Sequence, residues 1–250
     1  MFAKPNTTLA EAWLCAGAYT ILLFFDFAGY SAMAIGLGLM IGFRFIENFN
    51  APYRSQSITE FWRRWHISLS HWLRDYLYLP LGGNRRGAVR TYVNLMLTMV
   101  LGGLWHGANW TFILWGAWHG GWLAVERALG AKSAVSVWPK GLAWIFTMLI
   151  VMVGWVMFRA ESVGQAVNIY AGMLGGHGWG LTAEFAWQLQ NSELAVLCVG
   201  FVLSVFGNDL LRGAERVPTM LRLSSQIALL GIACLALVAQ THSPFLYFQF

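Results

Sequence analysis

The sequence predicts an all-α polytopic membrane protein organised as a single domain over residues 1–250, and three observations carry the prediction. Hydrophobic residues make up 58% of the chain and charged residues only 11%, against about 25% charged in a typical soluble domain; the mean hydropathy is +0.55. The apolar residues gather in runs long enough to span a bilayer, for which a helix needs about 20 residues. Fourteen tryptophans and eight tyrosines suit interfacial belts, where amphipathic rings settle at headgroup level. The net charge of +5 calls for no nucleic-acid partner. Basic loops set topology and meet anionic membrane lipids. Cys15, Cys198 and Cys234 are odd in number, widely spaced and set in apolar runs, which suits small buried hydrophobes better than disulfides or a metal site.

The first apolar run extends from about Ala12 to Phe43. It is too long for a signal-peptide core and lacks a small-residue cleavage site, so it reads as a retained span. Its excess length requires it to tilt, break or extend beyond the lipid. Asp26, near its middle, is expected to point into the protein and either pair or be protonated, because a lipid-facing carboxylate is costly. Ala34, Gly38 and Gly42 follow a small-xxx-small spacing that permits close helix contact.

Eight of the sixteen Lys and Arg residues lie between Arg44 and Arg90. Ser57-x-x-Glu60 is a capping-box signature for a helix running to Pro80. Within it Trp62, Trp65, Leu69, Trp72 and Tyr76 recur at helical steps, with Arg63, His66, Ser70 and Arg74 on another face. The pattern fits an amphipathic interfacial helix or one lining a polar entrance. "LGGNRRG" then marks a turn.

Tyr92 to Val125 is interrupted by Gly102, Gly103, Gly107 and Asn109. The run is long for one span and short for two. A pair of half-penetrating helices broken near His106 fits it, with irregular backbone buried in protein. His106 would then lie roughly 20 Å along the first half at ~1.5 Å per residue, deep in the membrane. An intramembrane histidine is a functional candidate by default, and a packing histidine bonded to a neighbouring helix is the alternative. In one unbroken helix His119 would sit about 220° around from His106, away from the same pocket. Further spans are predicted at Gly141 to Phe158, Leu194 to Leu211 and Leu223 to Ala239. Placing the basic loops on one side puts Gly87 and Ser136 together, Gly178 opposite and both termini outward, and requires the broken segment to return to its starting side.

No Walker A loop, GxSxG elbow or HExxH helix is present. His71-x-x-x-Asp75 imitates a soluble acyltransferase motif, but the aromatic stripe around it favours a structural role. The stretches "SITEFWRRWHISLSHWLRDYLYLPLGGNRRG" and "LGGLWHGANWTFILWGAWHG" closely resemble the membrane-bound O-acyltransferase family, in its bacterial alginate O-acetyltransferase branch. "FDFAGYSAMAIG" and the closing "SPFLYFQF" extend the resemblance over essentially the whole chain. The family pattern continues upstream of Met1, which implies the C-terminal half of a longer protein.

The resemblance implies the family's helical bundle, with a broken re-entrant segment and an amphipathic interfacial helix. It places the family histidine at His106 and a second at His66, with His119 and Asp26 supporting. It implies acyl transfer, of acetyl by family analogy, from a cytoplasmic thioester such as acetyl-coenzyme A or an acyl carrier to an outward hydroxyl, in a bacterial inner membrane. A periplasmic acetyltransferase and polysaccharide machinery are the implied partners, and no bound cofactor is expected. A hydroxyl is a poor nucleophile at neutral pH and needs a base, and burial keeps an imidazole neutral and available. His106 takes that role, and His66 orients donor or acceptor. Arg63, Arg64 and Arg74 either attract a phosphate-bearing donor or snorkel at the interface; Asp75 and Asn109 complete the candidate substrate-binding set. The family pattern carries serine at Ala28 and aspartate at Ala32, so this chain departs from it around Asp26. The competing function class is a transporter or channel subunit with a histidine-lined path. Such proteins commonly carry paired repeats, and no second copy is visible in this sequence.

Overall fold

A computed structural model describes residues 6–130, 138–214 and 216–239. Ser136 and the closing "SPFLYFQF" lie outside the described residues. Among those described, the regular structure is all helical. Four helices are long and apolar enough to cross a membrane: Leu9–Met40, Lys140–Arg159, Asn191–Leu210 and Thr219–Val238.

Helix α1, Leu9–Met40, is 32 residues long and unbroken, so it reaches about 48 Å at ~1.5 Å per residue and exceeds the ~30 Å hydrocarbon core. Thr8 and Glu11 form a reciprocal capping box at its start. The fully buried Glu11 also accepts bonds from the backbone N–H and hydroxyl of Thr182, fastening the start of α1 to a distant loop. At the other end the Gly42 N–H reaches the Leu39 carbonyl and the Phe43 N–H reaches that of Gly38, with Gly42 at φ +88°. This is a Schellman termination, which needs a residue free to adopt left-handed backbone. The small-residue spacing therefore serves the chain reversal: Gly42 ends the helix and Gly38 receives the Phe45 ring.

The helix predicted from Ser57 to Pro80 is divided. Helix α2, Ile58–Arg64, starts at Ser57, whose hydroxyl accepts from the Glu60 N–H. The Glu60 carboxylate reaches the Gln56 N–H at 2.8 Å. The Glu126 carboxylate takes the free N–H groups of Ile58 and Thr59, an anion at a helix N-terminus. Helix α3, Ile67–Trp72, follows a break at His66, which sits at φ 44°, ψ 55°. A π-helical turn, Leu73–Tyr78, completes the segment. The break has a tertiary cause. The Asn48–Asn50 loop enters the gap: Asn50 N–H donates to the Arg64 carbonyl, Ile67 N–H to the Asn48 carbonyl, and Ser68 N–H to the Asn48 side chain. Those bonds replace the ones a continuous helix would make. The aromatic stripe splits accordingly. Trp65 enters the core with Trp62 packed against it, while Trp72 and Tyr76 stack on each other at the surface.

Helices α4, Ala88–His106, and α5, Trp110–Ala128, form an antiparallel hairpin. The break falls at Gly107–Asn109, next to His106 as predicted. The arms exceed the half-penetrating pair expected: each has 19 residues, about 28 Å at ~1.5 Å per residue. The helices continue through polar residues at either flank, such as Arg90 and Glu126, which an apolar run does not count. Gly103, Gly116 and Gly120 let the two backbones touch. A Cβ at Gly116 would overlap the Met99 carbonyl oxygen, and one at Gly120 would come within 3.1 Å of the Met96 sulfur. The hairpin returns the chain to the end at which it began, as same-side placement of the basic stretches at Arg90 and Arg127 requires.

Helix α6, Lys140–Arg159, packs against α5 and α1. Two short helices that periodicity did not reveal follow, α7, Val163–Met173, and α8, Ala183–Gln188. Helices α9, Asn191–Ala214, and α10, Thr219–Ala239, complete the order. An Arg54–Asp209 ion pair at 2.6 Å links the turn before α2 to α9.

Candidate active site

The break in the α2–α3 segment and the break in the α4–α5 hairpin deliver two histidines to one place. His66 and His106 line the same small cavity, closed by Leu23 and Phe27 of α1, Trp115 of α5, and Trp155 and Phe158 of α6. Its volume of about 10 Å³ holds roughly one water. The imidazoles are close enough to interact electrostatically. His66 packs edge-on to Phe27 with centroids 4.6 Å apart, and its Nδ1 lies 3.5 Å from the Ser68 hydroxyl. His106 is held among the rings of Trp105, Trp115 and Phe158, at 4.9, 5.4 and 5.1 Å. Aromatic walls fix both rings while leaving them few internal partners. The left-handed backbone at His66 is sparsely populated for residues with a Cβ and costs on the order of 1–3 kcal/mol, a kind of strain that concentrates at functional sites.

His119 packs against Trp115 at 5.2 Å. It is 0% exposed, stacks on Phe61 and meets Trp62, Trp115 and Trp155, and neither of its ring nitrogens has a hydrogen-bond partner. Gly154 makes room for it, since a Cβ there would stand 2.7 Å from Nε2. His106 and His119 both pack against Trp115, at 5.4 and 5.2 Å, although His119 does not line the histidine cavity. Asp26 is half-buried, and it and Arg159 both act electrostatically on Tyr19; its neighbour Phe27, and not Asp26 itself, reaches the cavity.

The candidate binding residues separate into two groups. Arg63, His71 and Arg74 line a groove of about 410 Å³ with Thr59 and Ser70 on its polar side and Leu95, Met99 and Leu123 on its apolar side. Trp62 lines both this groove and the histidine cavity. Asp75 forms an ion pair with Arg74 at 2.7 Å on the surface, and the guanidinium hydrogen bond holds its carboxyl below the usual carboxylate range. Arg64 is turned elsewhere, pairing with Glu60 at 2.8 Å and donating to the Asn50 carbonyl. Asn109 caps α5, accepting from the Thr111 N–H at 3.2 Å and donating to the Glu161 carbonyl at 2.9 Å. It thereby holds the hairpin tip against the end of α6.

The walls at Phe27, Trp115, Trp155 and Phe158 were not predicted from sequence. Trp115 and His119 do stand at an i, i+4 spacing, but aromatic residues are too abundant in this chain for that signal to stand out. Glu126 offered only a lone carboxylate at the end of an apolar run.

Comparison with known proteins follows the same lines. The model of the MBOAT, membrane-bound O-acyltransferase family, matches residues 6–162. The probable alginate O-acetylase AlgI of Pseudomonas putida is 53% identical over all of this chain and 55% of its own length, and that of Azotobacter vinelandii is 50% identical over all of this chain and 56% of its own. The peptidoglycan O-acetyltransferase of Helicobacter pylori is 37% identical over 98% of this chain and 50% of its own length. The chain spans about half the length of these relatives.

Proposed function

We propose, because this chain belongs to the membrane-bound O-acyltransferase family, that it carries the histidine reaction centre of an enzyme moving an acetyl group from a cytoplasmic thioester to a hydroxyl of an exopolysaccharide or of a carrier protein serving it. The observation that carries the reading is the meeting of His66 and His106 in one aromatic-walled cavity. The acceptor hydroxyl gives its proton to the neutral His106 imidazole as its oxygen attacks the thioester carbonyl carbon. The carbon–sulfur bond then breaks, and the imidazolium returns the proton to the departing sulfur. A positioned base contributes typically ~10²- to 10⁴-fold. His66, on its strained turn, orients the donor or acceptor. Arg63 and Arg74 attract the phosphate of the donor to the groove on the far side of Trp62, and the apolar side of that groove accommodates an arm. Arg64, Asp75 and Asn109 support this arrangement through the ion pairs and cap they form. The reading places the protein in a bacterial inner membrane beside a periplasmic acetyltransferase and polysaccharide machinery, with both ends of this chain facing outward.

Inverted membrane vesicles from cells expressing the native gene provide the test, with radiolabelled acetyl-coenzyme A as the thioester. The expected result is acetyl transfer to polymer or protein that falls when Arg63 or Arg74 is changed to alanine, through a higher KM for the thioester, and persists in Arg64→Ala. Loss of transfer with unchanged KM in Arg63→Ala and Arg74→Ala would remove the groove from donor binding.

A further inference from the structure

We infer that Trp62 is a movable partition between the arginine-lined groove and the histidine cavity, a positioning residue that admits the thioester while keeping bulk water from the reaction centre. The inference rests on the proposed reading of the groove as the donor side, but the partition itself is a statement about structure. Trp62 lines both spaces. One is a groove of about 410 Å³ and the other a cavity of about 10 Å³, so this ring forms part of the wall of both a large and a small space.

Its attachments set it apart from Trp13, Trp118 and Trp144. Trp115 and Trp155 also have a buried N–H without an acceptor, but of Trp62, Trp115 and Trp155 only Trp62 lines both spaces. The indole N–H groups of Trp13, Trp118 and Trp144 are tied to the carbonyls of Met173, Ile150 and Tyr53 at 3.1, 2.9 and 2.7 Å. The Trp62 N–H is buried without an acceptor. Only packing holds the ring, through edge contacts with Phe61 at 5.8 Å, Trp115 at 5.7 Å and His119 at 5.4 Å. A buried donor without an acceptor is an unfavourable arrangement. The second observation is its neighbour: His119 is completely buried and neither ring nitrogen has a partner. A donor without an acceptor therefore lies against an imidazole with an acceptor to offer. Turning the indole toward His119 would give its N–H an acceptor and one imidazole nitrogen a donor, and would draw the ring out of the passage. The present arrangement is the closed one of a pair, and small differences between two packings suffice to make such an element bistable.

The chemistry requires a barrier of this kind. A base that activates an acceptor hydroxyl activates water equally well. Water's oxygen would then bond to the acyl carbon, the carbon–sulfur bond would break, the proton would pass to sulfur, and the donor would be spent as free acetate. Excluding water until the donor is seated prevents that side reaction.

The test uses the full chain in membranes, with Cys15, Cys198 and Cys234 replaced by serine and Leu23→Cys as reporter on the cavity wall. The modification rate by a small methanethiosulfonate reagent is expected to rise about tenfold or more in Trp62→Ala, because a buried thiol reacts only when the path to it opens. Trp62→Phe keeps the ring and loses the N–H, so its rate stays at or below that of the parent. Trp62→Leu, too short to span the passage, gives the fast rate if the alanine variant does not accumulate. With acetyl-coenzyme A, free acetate released per acetyl transferred rises in Trp62→Ala and not in Trp62→Phe. Equal modification rates in Trp62→Ala, Trp62→Leu and the parent would overturn the partition. If the parent vesicles transfer nothing from acetyl-coenzyme A, the donor reading fails, while the modification rates still decide the partition.

Discussion

Substituting alanine for Gly116 tests whether the α4–α5 hairpin is what aims His106. The added methyl group would overlap the Met99 carbonyl oxygen and stand 2.9 Å from the Val100 Cα. Both obstacles are backbone, so no side chain can swing away, and the helices must part locally by about 1 Å. Overpacking of this kind costs about 1–3 kcal/mol, a loss a membrane bundle can survive. Catalysis is less tolerant, since a displacement of ~1 Å at a reacting group costs on the order of 10²-fold. Gly116→Ala is therefore expected to accumulate in membranes, melt at a lower temperature in detergent, and lose about 10²-fold in acetyl transfer. Gly121→Ala, five residues along the same helix with nothing within 4 Å of its added methyl, is the control and is expected to behave as the parent. Equal melting and transfer in Gly116→Ala and Gly121→Ala would refute the close-packed hairpin as the element that positions His106.

Glu126→Ala removes the acceptor of two backbone N–H groups and the Thr59 hydroxyl. These donors are only partly buried, so each one left unmet costs about 1 kcal/mol, at the low end of the buried-donor range. Lower thermal stability and weaker donor use through a displaced Arg63 are expected, and unchanged melting would contradict this anchoring. For topology, cysteines at Val89 and Leu129, exposed at the open end of the hairpin, are expected to share protection from an impermeant outside reagent, while one at Trp179 is labelled. Opposite labelling of the first two would show that the α4–α5 pair does not return to its starting side.

Much of the helical order was legible because apolar runs of this length have few alternatives, and the Gly107–Asn109 break announced itself through glycine and asparagine beside His106. The break at His66 was invisible for a physical reason: the residues that cause it, Asn48 and Asn50, are remote in sequence and act through hydrogen bonds to backbone. Helical periodicity continues across Trp65 and His66 as if nothing intervened. The same holds for the site. His66 and His106 stood out through motif resemblance, whereas the aromatic walls and the role of Glu126 depend on which helices meet. Arg63 and Arg64 are adjacent and chemically alike, and only the helical period, which put Arg63 with Arg74 on one face, told them apart. The turn of α2 sends one to the groove and the other to Glu60.

The account stands most directly on His106→Gln, measured as acetyl transfer at equal membrane abundance in cells whose native gene carries the change. Glutamine preserves much of the volume and a hydrogen-bonding end among Trp105, Trp115 and Phe158 but cannot serve as a comparable base. The account predicts a folded, normally abundant protein whose transfer falls at least ~10²-fold, nearly as far as in His106→Ala. Transfer near the parental rate in His106→Gln, with His106→Ala reducing the amount of folded protein instead, would contradict it and make His106 a packing residue.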